Sequence, residues 1–350
     1  MADSSNDPRP SHLSPSELGT KEYWETFYSR TLTHISSKPD RDDAVTSTSS
    51  AEAADNNISD NESEDSYNAD SDPGTSWFSE HNAPQKVLSF LTRDTFPLAP
   101  YNTLPATPRG RRKAGRPLSA DEKDAQPSIL DLGTGNGSML ALLRKRGGFR
   151  GAMVGVDYSE KSVELARELQ RSRRHEAYLS GSDDEDDEDD EDDEKAYYGS
   201  ADEGGNQADA DADAEEDWEE IRFEEWDILN SGGDLAFENL DWFPYGKGGF
   251  DIVLDKGTFD AVSLMVEKSE CERYPGIAAE LVRKDGFLIV TSCNWTEEEL
   301  VRWFTAPTAT GADNSEKTTK LVVWGSVQYP RFRFGGQEGQ GVCTVCFQRV

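Results

Sequence analysis

The residues of this 350-residue chain best suited to chemistry are acids and glycines at the ends of short apolar runs. In I-L-D-L-G-T-G-N-G-S, residues 129–138, an apolar run reaches Asp131 and opens into Gly133, Gly135 and Gly137, with Asn136 between the last two. The pattern predicts a strand followed by a turn whose bare backbone can approach a nucleoside-bearing cofactor. About twenty residues on, V-G-V-D ends at Asp157, followed by Tyr158, and an acid at the end of a second strand can hydrogen-bond a ribose diol. Further along, Asp227 could accept from an adenine exocyclic amine, with Trp226 either covering the ring or serving only as a structural indole. Asp255 ends F-D-I-V-L-D and is expected to face the reaction centre with Phe259 close by. There it would orient an amine or take its proton; its alternative is merely to cap the next helix.

The glycines are spaced G-x-G-x-G, where a dinucleotide fold wants G-x-G-x-x-G to bring helix and strand together beneath a pyrophosphate. The spacing resembles motif I of class I S-adenosylmethionine-dependent methyltransferases. Methyl transfer is an in-line displacement, so such a site aligns nucleophile, carbon and sulfur and keeps water out, with no metal required. An amine nucleophile must be neutral although lysine starts near pKa ~10.4. Desolvation or a proton acceptor should therefore be found beside it.

These residues need a sheet to bring them to one edge. Short apolar runs alternate with helical segments, which predicts βαβ units and a parallel sheet. Strands are expected at 129–132, 152–156, 220–223, 250–254 and 286–291, with R-K-D-G at 283–286 as a turn. Helices are expected at 138–146, from an N-cap at Ser159 to 173, at 271–281 and at 296–304. Two last runs, 321–328 and 342–347, joined by a Gly-rich connection, read as an antiparallel hairpin. The fold class is thus α/β: a Rossmann-like, seven-stranded, mostly parallel sheet with a terminal antiparallel hairpin, N-terminal helices and disordered acidic insertions. A dehydrogenase half-domain would continue with another crossover helix instead. Near the N-terminus, G-T-K-E-Y-W-E-T-F-Y starts an aromatic-rich helix whose Tyr23, Trp24 and Tyr28 could form a lid over the cofactor. Trp77, Phe78 and Leu88 are expected to cover a sheet edge.

The charge is unevenly placed. Of the formal net charge of −33, residues 183–220 hold 22 acids against one Lys and residues 40–72 hold 11 against one Arg, which leaves the rest near neutral. Blocks of like charge repel and lack apolar periodicity, so both are expected to be disordered linkers, the first able to steer a basic partner. The organisation follows: 1–38 an N-terminal helix region, 39–75 an acidic linker, and 76–350 the catalytic domain, with a basic loop at 105–125 and an acidic insertion at 176–217. The P-R-G-R-R-K-A-G-R-P run could be a nuclear localisation signal or a minor-groove arm, but a plain basic loop is more ordinary, and nucleic-acid binding is not expected. No apolar stretch approaches the ~18 residues of a membrane span, so a soluble intracellular chain is expected. Cys343 and Cys346 form a lone C-x-x-C in an apolar strand; without a second pair they read as core thiols, not a zinc site.

Taken together, L-G-T-K-E-Y-W at 18–24, the Trp77-Phe78 segment, I-L-D-L-G-T-G-N-G and F-D-I-V-L-D-K-G-T-F-D-A at 250–261 resemble the elongation factor methyltransferase 4 family. The resemblance covers the chain apart from its acidic inserts, its basic loop and its extreme N-terminus, and D-K-G-T-F-D-A carries it beyond the superfamily. It implies S-adenosylmethionine as cofactor and mono- and dimethylation of a lysine on translation elongation factor 1-alpha, by a cytoplasmic monomer with nuclear entry as a second location. Carried over by motif position, Gly133, Gly135 and Asp157 would hold the cofactor, with Asp227 at its adenine. The residues set beside them are Asp131, Asn136, Gly137, Tyr158, Trp226, Trp24, Tyr28 and Asp255. The alternatives are a nucleic-acid methyltransferase, a small-molecule methyltransferase, and a non-catalytic adaptor with a relic pocket. Base-amine enzymes usually carry Asn/Asp-Pro-Pro-Tyr/Phe after strand four, where this chain reads D-K-G-T.

Overall fold

The computed structural model describes residues 9–36, 78, 81–105, 118–173, 175–178, 220–230, 239–306, 320–330, 332–334, 337–339 and 341–350. The acidic segments, most of the basic loop and Trp77 lie outside the described residues.

Five parallel strands carry the design: β1 (Ile129–Leu132), β2 (Met153–Asp157), β3 (Arg222–Glu225), β4 (Phe250–Lys256) and β5 (Val282–Ser292). Beyond them come β6 (Leu321–Val327), the short strands β7 (Phe332–Phe334) and β8 (Gln337–Gly339), and β9 (Cys343–Arg349). The main sheet runs β3-β2-β1-β4-β5-β9-β6, with β9 antiparallel to both its neighbours. The last two runs do pair as an antiparallel hairpin, with β9 inserted beside β5 and β6 left at the edge. Their connection carries a ladder of its own, β7 with β8, which the sequence did not suggest. The strand order reverses between β1 and β4, and in such sheets ligands bind outside the carboxyl ends at that crevice.

The helices are α1 (Lys21–Ser36), α2 (Ala83–Thr92), α3 (Pro100–Thr103), α4 (Ala120–Asp124), α5 (Ser138–Lys145), α6 (Glu160–Ser172), α7 (Thr258–Ser263), α8 (Lys268–Leu281) and α9 (Glu297–Thr305). Both faces of the sheet are covered, which is why its central strands read as unbroken apolar runs. Ile129, Ile252, Leu254, Phe287 and Ile289 point to one core with α1, α2, α5 and α6. Their neighbours Leu130, Val253, Leu288 and Val290 point to the other, with α7, α8 and α9. Local signals set several helix starts: the Ser159 side chain accepts from Ser162 N, and Thr296 with Glu299 forms a capping box.

Two expectations are corrected. R-K-D-G at 283–286 is not a separate turn but an irregularity within β5, where pairing with β4 shifts between Phe250 and Ile252 and Asp285 takes φ 62°. Strand three lies two residues later than 220–223, so Asp227 stands just past its end. The ladder is extended there by Trp226 N donating to Asp157 O at 2.8 Å.

Candidate active site

The carboxyl ends of β3, β2, β1, β4 and β5 open into a cleft of about 1240 Å³, counting its mouth. The glycine turn forms its floor. Thr134 N donates to Val156 O at 3.0 Å, and Thr134 Oγ1 donates to Asp131 Oδ2 at 2.8 Å. Gly133 and Gly135 adopt φ of 58° and 59°, a region costly for side chains. They are needed for different reasons. A Cβ at Gly133 would stand 2.2 Å from Thr258 Oγ1, which is itself bound to Leu132 O at 2.6 Å. A Cβ at Gly135 would meet only Tyr28, its hydroxyl at 3.1 Å, so this glycine bares its backbone towards the cleft. At Gly137 a Cβ would strike Phe223 and Tyr178, so the third glycine serves helix-to-strand packing.

Asp157 is buried beside the turn. Its Oδ2 accepts from Gly135 N at 3.1 Å and Ser162 Oγ at 2.7 Å, and its Oδ1 accepts from Ser159 N at 3.0 Å. An ionised carboxylate has about four acceptor positions, which leaves about one for a further hydroxyl. Burial raises its pKa, opposed by those three bonds. Asp227 is half-buried at the same edge and takes Leu229 N on Oδ1 and Asn230 Nδ2 on Oδ2. Trp226 and Tyr158 line the wall near it, and α1 adds Trp24 and Tyr28. The α1 wall is tied down: Tyr158 OH donates to Thr20 O at 3.2 Å, and Trp24 Nε1 donates to Leu18 O at 2.8 Å.

Nine of the residues singled out in the sequence line the cleft: Gly133, Gly135, Asn136, Asp157, Tyr158, Trp226, Asp227, Trp24 and Tyr28. Four do not. Asp131 lies beneath the turn, pushed up to about 6 by burial although Thr134 bonds to it, and Gly137 faces the packed side. Asp255, expected at the reaction centre, is 1% exposed and turned away from the cleft. Its Oδ1 accepts Thr258 N and Phe259 N at 2.9 and 3.1 Å, and its Oδ2 accepts Tyr274 OH at 2.8 Å. The helix-capping alternative is the one the geometry realises. Burial raises Asp255 to about 7, with the Tyr274 bond opposing. Phe259 is also not at the reaction centre: it is fully buried, stacked on Tyr274 and Trp295.

The far end of the cleft, over β4 and β5, is built from residues the sequence reading did not select for chemistry: Phe78, Lys256, Asp260, Cys293 and Asn294. Phe78 was expected only to cover a sheet edge, yet it faces Gly257, and Lys256 Nζ lies 5.5 Å from its ring centroid. Position held the missing signal, since S-C-N follows the strand-five run directly and so falls on the carboxyl edge. The cysteines of the C-x-x-C are buried and free, as expected of core thiols. Among the described residues no cluster of His, Cys, Asp and Glu could hold a metal ion, and no helix is long and apolar enough to cross a membrane.

Residues 123–178, which contain the glycine turn and Asp157, match the family model described as a methyltransferase domain. Similarity to curated proteins runs through the length of the chain. It is 27% identical over 340 residues to the protein-lysine N-methyltransferase EFM4 of Saccharomyces cerevisiae, covering 96% of each. It is 24% identical to the EEF1A lysine methyltransferase 2 of Homo sapiens, covering 96% of this chain and 88% of that one. The chain is thus similar over almost its whole length to protein-lysine N-methyltransferases, and it contains the stretch that matches a methyltransferase domain. Among solved structures, magnesium protoporphyrin IX methyltransferase from Synechocystis, with bound SAM, aligns at 12% identity and TM-score 0.37, covering 77% of this chain and 79% of that one.

The cofactor of this methyltransferase is S-adenosylmethionine, which supplies a methyl group on a positively charged sulfur. The cleft fits it without any phosphate contact. Gly135 presents bare backbone, Asp157 retains acceptor capacity, and Trp226, Tyr158 and Ile228 give an apolar wall where a purine could lie. The cleft continues past these residues over β4 and β5, where Lys256, Cys293 and Asn294 line it, so a second group can enter beside the cofactor.

Proposed function

We propose that this methyltransferase modifies a lysine side chain of translation elongation factor 1-alpha, adding one and then a second methyl group. The observation that carries the reading is the end-to-end similarity to EFM4 and to EEF1A lysine methyltransferase 2, at 96% coverage of this chain in both cases. Site chemistry supports it. With Asp157 and Asp227 taken as the ribose and adenine partners, past the ends of β2 and β3, the β4 and β5 end is left for the acceptor. That end has an aromatic wall in Phe78 and a cation in Lys256. Exclusion from water makes an ammonium less stable, so an entering lysine is pushed towards the neutral amine that attack requires. Bound in the cleft, S-adenosylmethionine would supply the methyl carbon: the amine's lone pair would form the N–C bond as the C–S pair stayed on sulfur, the positive charge passing to nitrogen.

The test is transfer of radiolabel from S-adenosylmethionine to purified, unmethylated elongation factor 1-alpha, with the product mapped by mass spectrometry. Label on one lysine in mono- and dimethyl forms is expected. An unlabelled factor, or label found on RNA, overturns the reading.

A further inference from the structure

The turn between β5 and α9 is held far more firmly than a surface turn needs. Asp260, 5% exposed on α7, accepts Ser292 Oγ on Oδ1, and on Oδ2 it accepts Cys293 N at 2.8 Å and Cys293 Sγ at 3.3 Å. The Ser292 hydroxyl in turn accepts Asn294 N at 3.1 Å and Trp295 N at 3.0 Å. On the other side Cys343 Sγ donates to Trp295 O at 3.1 Å. Four of these links hold backbone atoms of residues 293–295, and the side chains of Cys293 and Asn294 line the acceptor end of the cleft. Cys293 is no candidate nucleophile, because burial and the neighbouring Asp260 push its thiol up to about 12. Asn294 Oδ1 lies 3.9 Å from that sulfur and belongs to an uncharged group.

We infer that Asn294 is a substrate-contacting residue whose side-chain oxygen accepts an N–H of the incoming lysine amine, and that Asp260 is the positioning residue that holds it there through Ser292 and Cys293. The inference rests on the lysine reading above and gives it an orienting group. Strand order supports the placement: β5 lies two strands from the glycine turn, on the side away from Asp157 and Asp227. Chemistry supports the residue type. An amide oxygen directs the nitrogen lone pair without favouring the ammonium form, whereas a carboxylate at the same place would retain the proton that must leave. Asp255, the acid expected for this work, is occupied beneath the floor.

The experiment uses the full chain, S-adenosylmethionine and unmethylated elongation factor 1-alpha, with wild type compared against Asn294→Ala, Asn294→Asp and Asp260→Asn. Loss of one oriented hydrogen bond in Asn294→Ala should lower kcat/KM about 10- to 100-fold while cofactor Kd stays within about two-fold. Asn294→Asp should move the acidic limb of the kcat/KM profile up by about one pH unit, a change that simple loosening of the turn does not produce. Asp260→Asn should lower kcat with cofactor Kd again unchanged. Wild-type protein that leaves the factor unlabelled overturns the lysine reading and this inference with it. Wild type that labels it, with Asn294→Ala matching in kcat/KM or Asn294→Asp unmoved in pH, overturns the inference alone.

Discussion

At the scale of single residues, the acid at the end of β4 separates motif from mechanism. Asp255 is the residue a reader of D-K-G-T-F-D-A would choose as proton acceptor, but its three donors are the first turn of α7 and Tyr274. Its pKa, near 7 against an ordinary ~3.9, means that the folded chain binds the proton more tightly than the unfolded chain. The stability from this group is therefore complete below about pH 4 and is lost as pH rises through about 7. Asn in its place can keep both backbone bonds and cannot ionise. Asp255→Asn should narrow the difference in Tm between pH 5 and pH 8 and leave kcat within about three-fold, since no contact to the reacting atoms is lost. A thousand-fold drop in kcat would return the acid to the chemistry. The glycine turn gives the converse case. Gly135→Arg places a long side chain in the left-handed region and over the cleft floor, so isothermal titration should detect no S-adenosylmethionine binding while the melt stays cooperative.

At the scale of elements, the parallel sheet was legible because apolar runs bounded by turn residues are all that a doubly covered sheet requires. β1 begins and ends where the sequence puts it, and Ser159 caps α6 as its residue type suggests. What escaped was set by tertiary contact. α7 is a six-residue helix starting inside the motif read as a strand end, and only the buried carboxylate of Asp255 and the packing of Phe259 explain it. The cleft residues that were legible stand on elements whose periodicity is strong, whereas Cys293 and Asn294 stand on a turn shaped by Asp260, 33 residues from Cys293 in the chain. The N-terminal segment is another such case. Ser16 N donates to Leu264 O at 3.0 Å, and Gly19 packs so closely that a Cβ would stand 2.5 Å from the Leu264 backbone. That contact delivers Leu18, Gly19 and Trp24 to the cleft wall. Gly19→Val should lift the segment off α7, weaken cofactor binding about ten-fold, or ~1.4 kcal/mol, and speed proteolysis before α1. Unchanged affinity would mean that α1 alone closes that wall.

At the scale of the whole molecule, charge and catalysis are separable. The acids at 183–220 enter the chain between Tyr178 and β3, and the described residues on either side have their own anchors in the fold. Tyr178 is buried with its hydroxyl donating to Asn136 O at 3.4 Å, and Gln170 reaches both Glu220 and Ile221. Both anchors lie outside residues 181–216, so replacing those residues with a short Gly/Ser linker should keep Tm and cofactor Kd, the latter within about two-fold. Association with protein substrate should respond differently. Outside its two acidic segments the chain is close to neutral, so removing the larger one takes away most of the long-range attraction for a basic surface. At low ionic strength kcat/KM for a basic protein substrate should fall several-fold, and its dependence on salt should flatten, because screening has less field left to act on. At high salt the shortened and full chains should converge. An equal loss at every salt concentration, accompanied by weaker cofactor binding, would show instead that the acidic segment folds against the cleft and acts by contact.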